Sequence, residues 1–208
     1  MITTKEKIRT SWPIMESFFT IQGEGFHTGR AAYFIRTGGC DVGCVWCDVK
    51  ESWEAENHPE KSVEYLIKEI KNTPANFCVL TGGEPAMYSL KNLVVALKNE
   101  NIEVAIETSG CYTLDTEIDW YCFSPKKFKA PLHEAYHKAN ELKIVIYNKN
   151  DFKWAEEHAK KVMNNDCQLY LQPEWSKEAQ ILPLIIAYVK ENPKWKISLQ
   201  THKYMNIP

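Results

Sequence analysis

Three cysteines, Cys40, Cys44 and Cys47, fall within the run CDVGCVWC at a C-x-x-x-C-x-x-C spacing. Gly43 loosens the loop between the first two, so three thiolates can converge on one centre. An iron–sulfur cluster that only carries electrons is held by four cysteines. Three with no evident fourth leave one iron open, and an open coordination position is where a metal does chemistry. The alternative is a structural zinc ion of Cys₃His type, with His27 or His58 as its fourth ligand. Zinc ligands usually come as two close pairs, and this chain has no second pair. Trp46 lies inside the triplet, where it either packs or shields a cluster from water and so tunes its potential. Asp48 follows directly.

Two further runs carry polar groups at the ends of apolar stretches. In LTGGEP (80–85), two glycines let the backbone approach a ligand closely, and Glu84 can accept a hydrogen bond from an amine. Upstream, in FFTIQGEGFHTGRAAYFIRTGGC, Gln22, Glu24 and Arg36 bracket an apolar strand. The GEG run also suits a plain hairpin turn, with Glu24 and Arg30 as surface charges.

The elements that must position these groups alternate along the chain. Apolar runs predict strands over 13–20, 32–37, 77–80, 103–107, 120–124, 142–146, 168–172 and 196–200. Leu66, Ile67 and Ile70 mark one helix face; Leu90, Leu93, Val94 and Leu97 mark a second; Phe152, Ala155, Ala159 and Val162 mark a third. A last helix is expected within 177–190, with Pro183 limiting its start or kinking it. Strands alternating with helices predict an α/β fold with a parallel sheet. The helices are too few for a full eight-fold barrel, so we expect a partial, open α/β barrel with a mostly parallel six-strand core. Its ligands should gather at the C-terminal strand edge. No linker divides residues 1–208, which are expected to form a single domain.

Composition narrows the partners. The chain has 208 residues, 44% of them hydrophobic, and a net charge of −2 with dispersed basic residues, which argues against nucleic-acid binding. The longest apolar run, ILPLIIAYV, is broken by Pro183 and falls short of the ~18 residues of a membrane span. Neither a signal peptide nor an anchor is evident. Seven cysteines, an odd count, suit a reducing cytoplasm. Cys78, Cys122 and Cys167 lie in or beside apolar runs and read as core thiols, whereas Cys111 adjoins the polar TSG.

A cysteine triplet followed by a Gly-Gly-Glu-Pro strand end resembles the radical S-adenosylmethionine superfamily. That resemblance implies a [4Fe–4S] cluster on Cys40, Cys44 and Cys47. Its fourth iron is chelated by S-adenosylmethionine, which yields a 5′-deoxyadenosyl radical. Within the superfamily, TIQGEG, the arginine four residues before Cys40, CDV, TGGEP, ETSG, SPK, LQPE and LQTHKYMNIP resemble in order the 7-carboxy-7-deazaguanine synthase family. This implies a lyase that contracts 6-carboxy-5,6,7,8-tetrahydropterin to 7-carboxy-7-deazaguanine with loss of ammonia, in queuosine-type biosynthesis.

The resemblance also assigns residues. Gln22 and Glu24, with Ile21 and Gly23 beside them, would read the donor–acceptor edge of the pterin, and Arg36 would fork onto its carboxylate. Thr81 would add a contact, His202 would approach from the last strand, and the terminal carboxylate of Pro208 would reach the same substrate. For the cofactor it implies Trp46, Asp48, Gly83, Glu84 and Ser109, then Ser124, Pro125 and Lys126, and finally Gln172 and Glu174. Close relatives place a threonine that holds Mg²⁺ where this chain has Val49. A valine offers no oxygen, so Mg²⁺ dependence should be weaker or altered. A flavodoxin or ferredoxin as electron donor, a homodimer and a cytoplasmic location are also implied. A glycyl-radical-enzyme activase shares the cysteine spacing but not QGEG or the THK tail. A zinc-stabilised binding module is the alternative from another class.

Overall fold

The computed structural model describes residues 9–208. Its frame is one open sheet of nine strands. β1 (Ser11–Ile21) and β2 (Ala31–Thr37) pair antiparallel, and β3 (Glu60–Ser62) adds to the free side of β1. From β2 the sheet continues in parallel through β4 (Phe77–Gly82), β5 (Glu103–Thr108), β6 (Trp120–Phe123), β7 (Glu141–Ile146), β8 (Gln168–Pro173) and β9 (Trp195–Ile197). The partial barrel is therefore as expected, with seven parallel strands rather than six. The order β3-β1-β2-β4-β5-β6-β7-β8-β9 leaves it open.

Strand alternation divides the side chains. In β7, Leu142, Ile144 and Ile146 are fully buried in the main apolar core. Glu141, Lys143 and Val145 point to the other face, as the period of two demands. The outer core is covered by α1 (Val63–Lys71), α2 (Lys91–Asn99), α3 (His133–Lys138), α4 (Asn150–Ala159) and α5 (Glu178–Glu191). α1 starts where the Ser62 side chain accepts from the Tyr65 N–H, and it buries Leu66 and Ile70, one turn apart. α5 buries Ile181 and Ile185, and it contains Pro183 in its second turn, where only the Ala179 carbonyl loses its i+4 donor.

Three expectations change in detail. α4 ends at Ala159, so Val162 packs on the core from the following turn. β9 ends at Ile197 because Thr201 turns the chain away from the sheet, its N–H and hydroxyl both donating to the Gly23 carbonyl at 2.9 Å. His202 therefore sits in a short helix, α6 (Thr201–Met205), and not on the last strand.

The inner face is layered. At the N-terminal edge, the loop joining β1 to β2 folds inward. Phe26 stacks on Trp120 at 4.5 Å, His27 packs on Phe77 at 4.7 Å, and the Phe26 N–H donates to Glu141. Each of these partners is the first residue of its strand, so the loop plugs that end. Above the plug, Ala32, Phe34, Phe77, Val79 and Ala105 form a small second core. Toward the C-terminal edge the inner face turns polar and opens into a cavity.

Candidate active site

The cavity measures about 410 Å³ and lies at the C-terminal strand ends. β2 and β4 are parallel neighbours in the register Arg36↔Thr81 and Thr37↔Gly82, which sets the cysteine loop beside the Gly-Gly turn. The two loops are bonded together, Gly83 N–H to Thr37 O at 2.8 Å and Glu84 N–H to Gly39 O at 2.9 Å. Both glycines are required by this contact. Gly82 has φ +114°, and a Cβ on it would stand 2.4 Å from the Thr37 nitrogen. One on Gly83 would stand 2.2 Å from the Gly39 oxygen and 3.2 Å from Cys40 Cβ.

Cys40, Cys44 and Cys47 all line the cavity, and a turn between Cys44 O and Cys47 N–H at 3.1 Å holds the last two. Burial raises the Cys40 thiol and lifts Cys44 to about 11, with the neighbouring thiols pushing the same way. Such thiols ionise when a cationic centre binds them, so this donor set fits a thiolate-held cluster. The zinc alternative lacks its fourth ligand. His58 Nε2 is engaged by Glu51 O at 2.8 Å, and His27 lies in the plug at the far end of the strands. Among the described residues, no three His, Cys, Asp or Glu side chains gather closely enough for a single ion.

Glu84 is buried with all its acceptor capacity used. Oε1 accepts from Thr108 Oγ1 at 2.5 Å and Ala86 N–H at 3.1 Å. Oε2 accepts from the Ser109 N–H at 2.8 Å and from the Ser109 hydroxyl. Its carboxylate thus ties the β4 turn to the end of β5 and has no vacant lone pair for an amine. Lys126 folds back onto Ser124, donating to its carbonyl at 2.7 Å and its hydroxyl at 2.6 Å, and burial lowers its pKa. Gln172 accepts from Ser198, and Glu174 caps the turn at Ser176. Trp46 stands edge-on to Phe128 at 6.1 Å. Asp48 is 3.2 Å from the Lys203 ammonium, and Val49 lines the wall beside it.

Of the residues assigned from the sequence, Ile21, Gly23, Glu24, Arg36, Thr81, His202 and Pro208 line this same cavity. Gly83, Glu84, Ser109, Ser124, Lys126, Gln172 and Glu174, with Trp46 and Asp48, do so too. Gln22 and Pro125 do not. Gln22 lies behind the wall, its Nε2 donating to Glu107 at 2.9 Å and its Oε1 accepting from the Glu24 N–H at 3.0 Å. Pro125 is buried beneath its neighbours.

Arg36 is paired with Glu16 at 3.1 Å on one side, while its buried Nε finds no partner among the described residues. His202 packs against Gly23, where a Cβ would meet its Nδ1 at 2.3 Å, and burial lowers its pKa. Asn206, in the left-handed region at φ 53°, and the bond from Ile207 N–H to His202 O turn Pro208 into the cavity.

Two lining residues were not assigned from the sequence: Glu107, which opens the ETSG run, and Lys143, which no motif marks. The Lys143 ammonium lies 2.5 Å from Glu24 Oε2 and 3.3 Å from Glu107 Oε2. Burial alone would raise the Glu24 carboxyl, but Lys143 and the Gln200 amide (2.9 Å) hold it at about 2. Burial opposes the charge on Lys143 as well, and the two carboxylates outweigh it, so its pKa is raised.

Residues 34–120 match the Radical SAM superfamily. A 7-carboxy-7-deazaguanine synthase of Flavobacterium psychrophilum is 56% identical over 196 residues, 94% of this chain and 92% of the relative. One of Synechocystis is 45% identical over 202 residues, covering 97% and 96% of the two chains. The chain belongs to the 7-carboxy-7-deazaguanine synthase family. The crystal structure of QueE from Escherichia coli has the same architecture, with a TM-score of 0.80 at 31% identity over 91% of this chain and 93% of that one. Family membership makes the protein a radical S-adenosylmethionine lyase, with a [4Fe–4S] cluster, S-adenosylmethionine, a small-molecule substrate and a reductant as its requirements. It sets aside both the activase and the zinc-module alternatives. Among the described residues, no helix is long and apolar enough to cross a membrane.

Proposed function

We propose that this protein converts 6-carboxy-5,6,7,8-tetrahydropterin to 7-carboxy-7-deazaguanine with release of ammonia. One observation carries the reading. The three cysteines and the Gly-Gly turn share a single cavity with an acidic floor and a free-sided arginine. Cys40, Cys44 and Cys47 would hold the cluster, which with S-adenosylmethionine would supply a 5′-deoxyadenosyl radical able to take hydrogen from the substrate. The chain's own residues bind and orient. Gly83 leaves its backbone approachable, and Ser124, Lys126, Gln172 and Glu174 form the rim on the cofactor side. Glu84 and Ser109 act through the shape of the turn. Arg36, with its unused Nε, suits a carboxylate, and Glu24 suits an N–H donor. His202 and Pro208 close the substrate end.

The residues present do not make a Mg²⁺ site by themselves. Val49 has no oxygen, and the Asp48 carboxylate beside it is paired with Lys203 through one oxygen. The reaction is therefore expected to depend on Mg²⁺ weakly. Residues 1–208 serve as one domain in this reading. A flavodoxin or ferredoxin supplies the electron, the enzyme works in the cytoplasm, and two copies form a homodimer.

The test is anaerobic incubation of cluster-loaded protein with S-adenosylmethionine, reductant and the carboxytetrahydropterin. Ammonia should be released by wild type and not by Cys44→Ala. Cleavage of S-adenosylmethionine without ammonia would leave the superfamily chemistry standing and refute the substrate.

A further inference from the structure

Lys143 stands in the middle of β7 with its side chain only 4% exposed, yet it carries a charge between two acids from different elements. Glu24 comes from the loop after β1 and Glu107 from β5. Each of their four carboxylate oxygens has one protein donor. Glu24 Oε1 accepts from Gln200 and Oε2 from Lys143. Glu107 Oε1 accepts from Gln22 and Oε2 from Lys143. A carboxylate oxygen has room for two donors, so both acids face the cavity half-satisfied. Acceptor capacity left open on a cavity wall is available to a ligand's donors. One cation cannot neutralise two carboxylates, so the floor also keeps a net negative charge. Its complement is a rigid group with adjacent N–H donors, such as the 2-amino and ring N–H of an aminopyrimidinone.

We propose that Glu107 joins Glu24 in accepting the N–H donors of the substrate's aminopyrimidinone edge, and that Lys143 is the positioning residue whose ammonium bridges the two acids and holds them side by side. This rests on the pterin reading above and adds its specificity determinant, a preference for a 2-amino over a 2-oxo ring. Removing the cation would leave two neighbouring carboxylates repelling each other with no ammonium between them. One would take a proton, become a donor, and suit an oxo group instead.

The experiment is a binding titration of cluster-loaded protein, with S-adenosylmethionine present, against 6-carboxypterin and 6-carboxylumazine, which differ at position 2. Wild type should prefer the pterin by about tenfold or more. Glu107→Gln and Lys143→Met should each erase most of that preference, through weaker pterin and relatively stronger lumazine binding. Iron content reports whether each variant has folded. Glu107→Gln, nearly isosteric, carries the test if Lys143→Met does not load. General structural damage would weaken both ligands alike and leave their ratio unmoved. Wild type that binds neither ligand overturns the pterin reading together with this inference. Wild type without a preference, or folded variants that keep the wild-type ratio, overturns the inference alone.

Discussion

Glu84 and the Glu24–Glu107 pair are acids lining one cavity and put to opposite uses. Glu84 accepts four protein donors and is finished as a structural group. Glu24 and Glu107 share one ammonium and two amides, which leaves half of their acceptor capacity to the cavity. The difference separates scaffold from recognition. A saturated carboxylate fixes the loop that must hold a cofactor, while a half-saturated one waits for donors. Sequence position does not reveal the difference: Glu84 sits in TGGEP and Glu107 opens ETSG, and both lie at strand ends.

Perturbing the cofactor end should produce the largest loss. Gly83→Ala drives a Cβ into the Gly39 carbonyl and against Cys40, so the cysteine loop must move. S-adenosylmethionine cleavage should fall by about 100-fold or more, since ångström misplacements are worth that much, and iron content should fall with it. Wild-type cleavage in this variant would mean the two loops do not depend on each other. Next comes Glu84→Gln, which sets an amide NH₂ against donors that have no other acceptor. A loss of roughly 2 kcal/mol is expected, read as a melting temperature lower by about 5 °C. The Lys143 and Glu107 variants, by contrast, should move ligand preference.

A pH dependence separates the cavity from the outer core. His158 is buried against Tyr136, Phe123 and Trp154, accepts from or donates to the Tyr136 hydroxyl at 2.9 Å, and is held neutral by burial with its pKa at about 4. Its folded pKa lies below the unfolded 6.5, so the unfolded chain takes the proton first as pH falls. Stability should therefore drop between pH 6.5 and about 4, by up to roughly 3 kcal/mol. Glu24, also depressed, loses its contribution lower, as pH falls from 4.5 toward 2. Thermal melts of His158→Gln should flatten the upper window and leave the lower one in place. An unchanged upper slope would remove His158 from the account.

The strands and the outer helix faces were legible because β-branched and aromatic runs meet a simple burial rule. Leu142, Ile144 and Ile146 could hardly lie elsewhere than in the core. The cluster loop and Gly-Gly turn were legible because their chemistry requires rare residue types at fixed spacing. Lys143 and Glu107 were not, since polar residues alternating with apolar ones equally suit a strand face turned to water. In this fold that face is the inside of a barrel. His202 was expected on the last strand because five residues of α6 are too few to show a helical period. Gln22 and Pro125 share motifs with lining residues, and local backbone direction places them behind the wall.

One cavity joins a three-cysteine cluster site to a floor suited to a carboxylated pterin. Product mass after anaerobic turnover of the cluster-loaded protein with S-adenosylmethionine, reductant and 6-carboxytetrahydropterin tests it most directly. Wild type is expected to form a product of the mass of 7-carboxy-7-deazaguanine, and Cys44→Ala to form none. Recovery of the pterin unchanged, while S-adenosylmethionine is cleaved, would contradict it.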